Sequence, residues 1–276
     1  MWNGKNKAIT FSFDDGVIQD KRLVKLFDKY NLKGTFNLNS ELLGRCNLVG
    51  CGRIHRNEIP NPKIKELLAK YDKSFDFNIA EAIQEVESSN NPEQALKYIK
   101  IFPEEVKDLY KNHEVAVHTL THPNLTELSK EEVIYQVEQD RLNLCKLVGY
   151  NVDMMAYPCG GTNNNDEVAQ IIKENTGVKF SRTITSTYNF DLQDNLLRFN
   201  PSVYIYQTDK MFELAEEFVN LKTDTPKLFY IWGHSYEFDD KTRCTWETFE
   251  KFLQIIANKN DIYYGTNSEV FKKWIK

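Results

Sequence analysis

Ala8-Ile9-Thr10-Phe11-Ser12-Phe13 runs directly into Asp14-Asp15-Gly16. β-branched and aromatic residues dominate the first six positions, the composition of a strand. A run of that kind ending abruptly in two carboxylates and a glycine reads as a buried strand delivering polar groups at its C-terminal end. Further runs follow the same rule: Thr35–Leu38, Glu114–Val117, Met154–Tyr157, Val178–Ser181, Leu228–Trp232 and Ile262–Tyr264. Amphipathic stretches separate them. Lys130–Val148 repeats Val133, Val137, Leu144 and Leu147 after the capping box Ser129-x-x-Glu132, and Phe249–Ala257 carries Phe249, Phe252, Leu253 and Ile256 on one face. Pro103 before Glu104 and Glu105 opens another helix, and Thr266-x-x-Glu269 caps the last one. Strands alternating with helices predict an α/β chain with a parallel sheet, and about seven such units predict a distorted (β/α) barrel.

The 276 residues are read as one domain, residues 1–276, since barrels of roughly 250 residues form a single core. The interval 39–113 is about twice as long as one connection needs and is read as an insertion. It either overhangs the site-bearing face or packs along the barrel's flank. Cys46 and Cys51 lie in its Gly-rich loop with four residues between them, but no second Cys or His pair completes a zinc site there. Lys+Arg 35 against Asp+Glu 40 leaves a net charge of −5 with no basic block, which argues against nucleic acid as a partner. No apolar run suits membrane insertion. The first residues lack the charged and apolar regions of a signal peptide, so the expectation is a cytoplasmic protein, or a secreted one if a signal has been removed.

In a barrel of parallel strands the C-terminal strand ends share one face, where active sites are built. Asp14 and Asp15, then Asn37 and Asn39, then His118 and His122, then Pro158-Cys159-Gly160, then Arg182, then His234 all follow strands. Three of the five histidines and an acidic pair therefore converge. A strand continued through His118 and His122 would hold them about 13 Å apart at ~3.3 Å per residue, so shared metal binding requires a turn after His118. Two histidines and one aspartate with an open position form a catalytic zinc pattern; the alternative is two structurally satisfied histidines. Asp14 and Asp15 point to opposite sides of an extended chain, and Gly16 permits the turn that would bring both inward. The alternative for that pair is an exposed Asp-Asp-Gly turn.

Ser12-Phe13-Asp14-Asp15-Gly16, His118-Thr-Leu-Thr-His122, Tyr157-Pro158-Cys159-Gly160 and Ile231-Trp232-Gly233-His234 resemble, in order and spacing, the motifs of the polysaccharide deacetylases, the NodB-like carbohydrate esterase family 4. The resemblance implies metal-dependent removal of N- or O-linked acetyl groups from a poly- or oligosaccharide. It implies Asp14 as general base, with Asp15, His118 and His122 as ligands of one divalent ion, zinc by preference. It also implies the backbone N–H of Cys159 as oxyanion donor and His234 as general acid, with Tyr157 and Pro158 in a substrate-binding motif. Trp232 either lines the sugar groove or belongs to the core.

Two departures matter. The family's arginine before the proline is replaced by Ala156, and the aromatic residue after it by Cys159. Arg182 is the expected substitute partner of Asp14, against the reading of an ordinary surface ion pair. The aspartate that usually steadies the catalytic histidine is missing, with Glu237, Asp239 and Asp240 as nearby carboxylates. Two other functions stay open at this level: hydrolysis of a small non-sugar amide, and a saccharide-binding barrel without catalysis.

Overall fold

The computed structural model describes residues 1–44, 48–50, 53–55 and 100–274. Its strands are β1 (Lys7–Asp14), β2 (Thr35–Leu38), β3 (Leu48–Gly50), β4 (Arg53–His55), β5 (Glu114–Val117), β6 (Met154–Ala156), β7 (Phe180–Arg182), β8 (Val203–Tyr204), β9 (Lys227–Gly233) and β10 (Ile262–Tyr264). The helices are α1 (Asp20–Lys29), α2 (Pro103–Leu109), α3 (Lys130–Ile134), α4 (Asp140–Val148), α5 (Asp166–Asn175), α6 (Thr208–Asn220), α7 (Trp246–Ile256) and α8 (Asn267–Trp274). None of the described helices is long and apolar enough to cross a membrane. Cys46, Cys51 and most of the 39–113 insertion lie outside the described residues.

Eight strands form one parallel sheet in the order β7-β6-β5-β2-β1-β9-β8, with β10 also pairing β1. β1 is shared along its length: Lys7–Ile9 pairs with β10, and Ser12–Asp14 pairs with β2. At the far edge Arg182 bridges Phe199, in the extended chain leading into β8. The result is a distorted (β/α) barrel. All seven expected strands form, with shifts of up to two residues. Three strands are additional: β8, two residues being too few to show a period, and β3 with β4, which pair with each other in the insertion.

β1 is buried at all eight positions, yet its two faces differ. Phe11 and Phe13 turn outward against Phe27 of α1 and Phe249 of α7, with ring centroids 4.9–6.3 Å apart. Thr10, Ser12 and Asp14 make polar contacts inside the barrel: Thr10 donates to Asn267 Oδ1 at 2.9 Å, and Arg182 Nε donates to Ser12 Oγ at 3.1 Å. The period of two thus separates an aromatic seam from a polar column rising toward the C-terminal strand ends.

The helix expected over Lys130–Val148 contains one surprise. Its capping box forms, with Glu132 N donating to Ser129 Oγ at 3.3 Å and Ser129 N to Glu132 Oε2 at 2.8 Å. Between α3 and α4, however, Tyr135–Gln139 forms a π turn. There the Gln136 carbonyl accepts from Leu120 N at 3.0 Å, and the Gln136 side chain holds Thr121. Asp140, at the start of α4, accepts from His118 N at 3.1 Å. The wider turn anchors the 118–122 segment, a common use of π bulges near functional sites.

Candidate active site

The turn required after His118 is present. Thr119 and His122 adopt φ of 69° and 61°, and the two imidazole centroids stand 4.9 Å apart. At the end of β1, Asp15 takes φ of 81° and Gly16 of 58°. A Cβ on Gly16 would meet Leu38 Cδ2 at 2.6 Å, so any other residue would have to displace that buried side chain as well as adopt a left-handed conformation. This double left-handed turn brings both carboxylates inward: His118 Nε2 lies 4.0 Å from Asp14 Oδ2 and 4.0 Å from Asp15 Oδ1.

Asp14 and Asp15 are nonetheless different groups. Asp14 accepts from Asn37 Nδ2 at 2.8 Å and from Arg182 Nη2, whose hydrogen bonds reach both carboxylate oxygens. Arg182 is 1% exposed, so the surface ion pair is ruled out. Burial pushes the Asp14 pKa up, but Arg182, with His118 and His234, brings it below its ordinary value. Asp15 Oδ1 faces His122 Nε2 at 3.6 Å and the Lys100 ammonium at 3.4 Å, but accepts no well-aligned hydrogen bond despite being buried. Burial again opposes ionisation, while Lys100 and the three histidines hold Asp15 well below the carboxylate range.

Asp15, His118 and His122, all buried, offer three ligand atoms within 4.8 Å of one another. His118 Nδ1 contacts the Ala156 carbonyl at 2.8 Å, so that nitrogen carries the proton and Nε2 is left with its lone pair toward the carboxylates. Burial holds His118 below its ordinary pKa and His122 at about 3, so both are neutral, the form that ligates a metal. A buried carboxylate and two neutral imidazoles converging within 4.8 Å fit a divalent cation, although the Lys100 ammonium already faces that carboxylate.

His234, from the end of β9, has the opposite electrostatics. Its Nε2 lies 3.8 Å from Asp15 Oδ2, and its Nδ1 lies 3.1 Å from Glu237 Oε1. Burial works against the charged ring, but Glu237, with Asp15 and Asp14 behind it, raises the pKa to about 9. Glu237 also accepts from the Tyr204 hydroxyl and from His234 N, the latter at 3.0 Å. The other two nearby carboxylates are engaged elsewhere. Asp239 accepts from Trp246 Nε1 at 2.8 Å, and Asp240 from the Tyr206 hydroxyl at 3.1 Å.

The β6 loop turns at Cys159 with φ of 69°. Asn163 Nδ2 supports it by donating to the Pro158 and Cys159 carbonyls at 2.9 and 2.7 Å. This turn lets the Cys159 N–H donate to His122 Nε2 at 3.5 Å, which places that donor at the edge of the cluster.

Three expected substrate contacts need correction. Tyr157 is 1% exposed in the core, its hydroxyl donating to the Leu197 carbonyl, and Pro158 is buried beside it. Trp232 is covered on both faces, by the Tyr204 ring at 4.3 Å and the Arg182 guanidinium at 4.4 Å. Neither aromatic face is open to a sugar. Lys100 was not anticipated as a site residue: it lies within the 39–113 insertion, with no strand or motif marking it.

A family model described as polysaccharide deacetylase matches residues 3–180. No curated protein sequence matches the chain. Among solved structures, a family 4 carbohydrate esterase from Streptomyces lividans in complex with acetate superposes with a TM-score of 0.51 at 12% identity, covering 97% of this chain and 96% of that one. A Streptococcus pyogenes deacetylase in complex with acetate has a TM-score of 0.44 at 18% identity, the match covering 68% of this chain and 61% of that one. A carbohydrate esterase family 4 pseudoenzyme from Bacillus anthracis has a TM-score of 0.48 at 15% identity, covering 96% of this chain and 65% of that one.

Proposed function

The chain belongs to the polysaccharide deacetylase family, and from that premise we propose that it is a metal-dependent hydrolase removing acetyl groups from an N- or O-acetylated poly- or oligosaccharide. The observation that carries this reading is the buried Asp15, His118 and His122 cluster beside a differently partnered Asp14 and His234. A divalent ion held by Asp15, His118 and His122, zinc by the donor set, would polarise the acetyl carbonyl and supply a water nucleophile at neutral pH.

The chain's own residues divide the remaining work. Asp14, kept ionised by Arg182, takes the proton of the attacking water. Arg182 and Asn37 hold that carboxylate in one orientation, since both donate to Asp14 Oδ1. The Cys159 N–H supports the negative charge growing on the carbonyl oxygen, a contribution of roughly 3 kcal/mol at comparable sites. His234, protonated through its contact with Glu237, gives its Nε2 proton to the departing amine or alcohol. On this reading, neutral His118 and His122 and a charged His234 give one residue type two roles through its surroundings.

The test combines metal stoichiometry with acetate release from an N-acetylated and an O-acetylated oligosaccharide. The expected result is one divalent ion per chain and release from at least one substrate, with His122→Ala weakening the ion's affinity by at least about 100-fold. Failure of the wild type to bind an ion overturns the reading. A bound ion with no acetate released from either class would point to the small-amide hydrolase or the saccharide-binding barrel.

The Glu237 contact makes a separate prediction about pH. A general acid must carry its proton, so turnover falls as pH rises through its pKa. Glu237, with Asp15 and Asp14 behind it, raises that pKa to about 9, and Glu237→Gln removes the largest of those stabilising charges. The alkaline limb of kcat is expected to move down by at least about one pH unit while the acidic limb stays in place. A profile identical to wild type would assign the acid elsewhere.

A further inference from the structure

Against the candidate metal centre lies a buried lysine, whose charge burial opposes and the facing Asp15 supports. Lys100 is 0% exposed, and its Nζ donates to the Asp15 carbonyl at 2.7 Å and to Asn39 Oδ1 at 3.4 Å. The same nitrogen lies 3.4 Å from Asp15 Oδ1, the oxygen facing His118 and His122. Three surrounding oxygens suit an ammonium group, which donates and never accepts. The backbone here is held firmly. Lys100 bridges Val17, and Ile101 N donates to the Gly16 carbonyl at 2.8 Å.

The two carboxylates within 4.0 Å of His118 are therefore both matched: Asp14 by Arg182 and Asp15 by Lys100. A divalent ion entering this site meets no surplus of negative charge. It meets a buried lysine instead, on the very oxygen it would use. Like charges at such distances, out of water, repel strongly.

Building on the metal-centre reading above, we propose that Lys100 is a positioning residue that serves as a resident counter-ion. It holds Asp15 in its ligating conformation when no metal is bound, and its charge keeps the bound divalent ion weakly held and readily exchanged. A purely structural role would act in the opposite direction. If Lys100 only clamped the Asp15 turn, losing it would loosen a ligand and weaken the metal.

The experiment titrates the full chain with Co²⁺, followed by visible absorption, and with Zn²⁺ in competition with a chromophoric chelator. Lys100→Met and Lys100→Gln remove the charge, and the glutamine keeps a donor for the Asp15 carbonyl. Both are expected to bind the ion at least about tenfold tighter than wild type, with slower loss to excess chelator. Lys100→Arg is expected to stay near wild-type affinity. Equal or weaker binding by folded Lys100→Met or Lys100→Gln overturns the proposal. So does a wild-type chain that keeps its zinc for hours in excess chelator, a result that needs no variant to fold. Absence of binding in the wild type and in every variant would instead remove the metal centre itself, so the two failures are distinguishable.

Discussion

Replacing Asp14 with asparagine is expected to lower kcat for acetate release by about 10²- to 10⁴-fold, the usual worth of a positioned general base. Metal affinity should stay within a few-fold of wild type. The two adjacent aspartates make this a sharp comparison. Both lie 4.0 Å from His118 Nε2, so proximity alone does not say which one ligates. Their other contacts do. Asp14 is committed to Arg182 and Asn37, whereas Asp15 Oδ1 accepts no well-aligned hydrogen bond and also faces His122. An asparagine at 14 can still accept from Arg182, so the site's shape should survive while the proton acceptor is lost. Measuring kcat, KM and metal stoichiometry on the same preparation decides the matter. Unchanged kcat would remove Asp14 from the role of base, and lost metal would make it a ligand.

The second large effect concerns Arg182. Arg182→Met is expected to destabilise the fold by about 3–5 kcal/mol, the typical cost of stripping one partner from a buried ion pair. Asp14 would be left as a buried charge, since Arg182 is the cation bonded to it. With that counter-charge gone, burial would push the Asp14 pKa upward. A base must be deprotonated, so the acidic limb of kcat should move to higher pH. Combining the changes separates charge from packing. In Asp14→Asn/Arg182→Met no carboxylate is stranded, and much of the lost stability should return in a double-mutant cycle. Strictly additive stability losses would mean that Arg182 matters through its contacts with Ser12, Thr183 and Trp232. Turnover unaltered in Arg182→Met would end its assignment as the substitute for the arginine replaced by Ala156.

Much of this protein was legible in its sequence because the relevant physics is local. The β-branched and aromatic run Ala8–Phe13 already reads as a buried strand that delivers Asp14 and Asp15 at its end. Strand ends announce where polar groups collect, and the 13 Å problem between His118 and His122 forces a turn on the arithmetic of the extended chain alone. The capping residues Ser129 and Thr266 mark helix starts that the structure contains. These inferences concern neighbours in the chain, for which spacing is enough.

What only the tertiary structure decided concerns partners distant in sequence or hidden by packing. The Asp14–Arg182 pair spans 168 positions and the Lys100–Asp15 contact 85, separations at which sequence spacing carries no distance information. Glu237, Asp239 and Asp240 look equivalent as text; the 3₁₀ turn over Ser235–Asp239 turns one of them toward His234. Trp232 and Tyr157 have the composition of a sugar platform, yet burial depends on what covers a ring. Here the covers are Tyr204 and Arg182 on one, and the core on the other. The sequence determined the barrel and the residue types at its mouth, because both follow from local period and strand order. The charges those residues carry were decided only when folding removed water and brought each its partner.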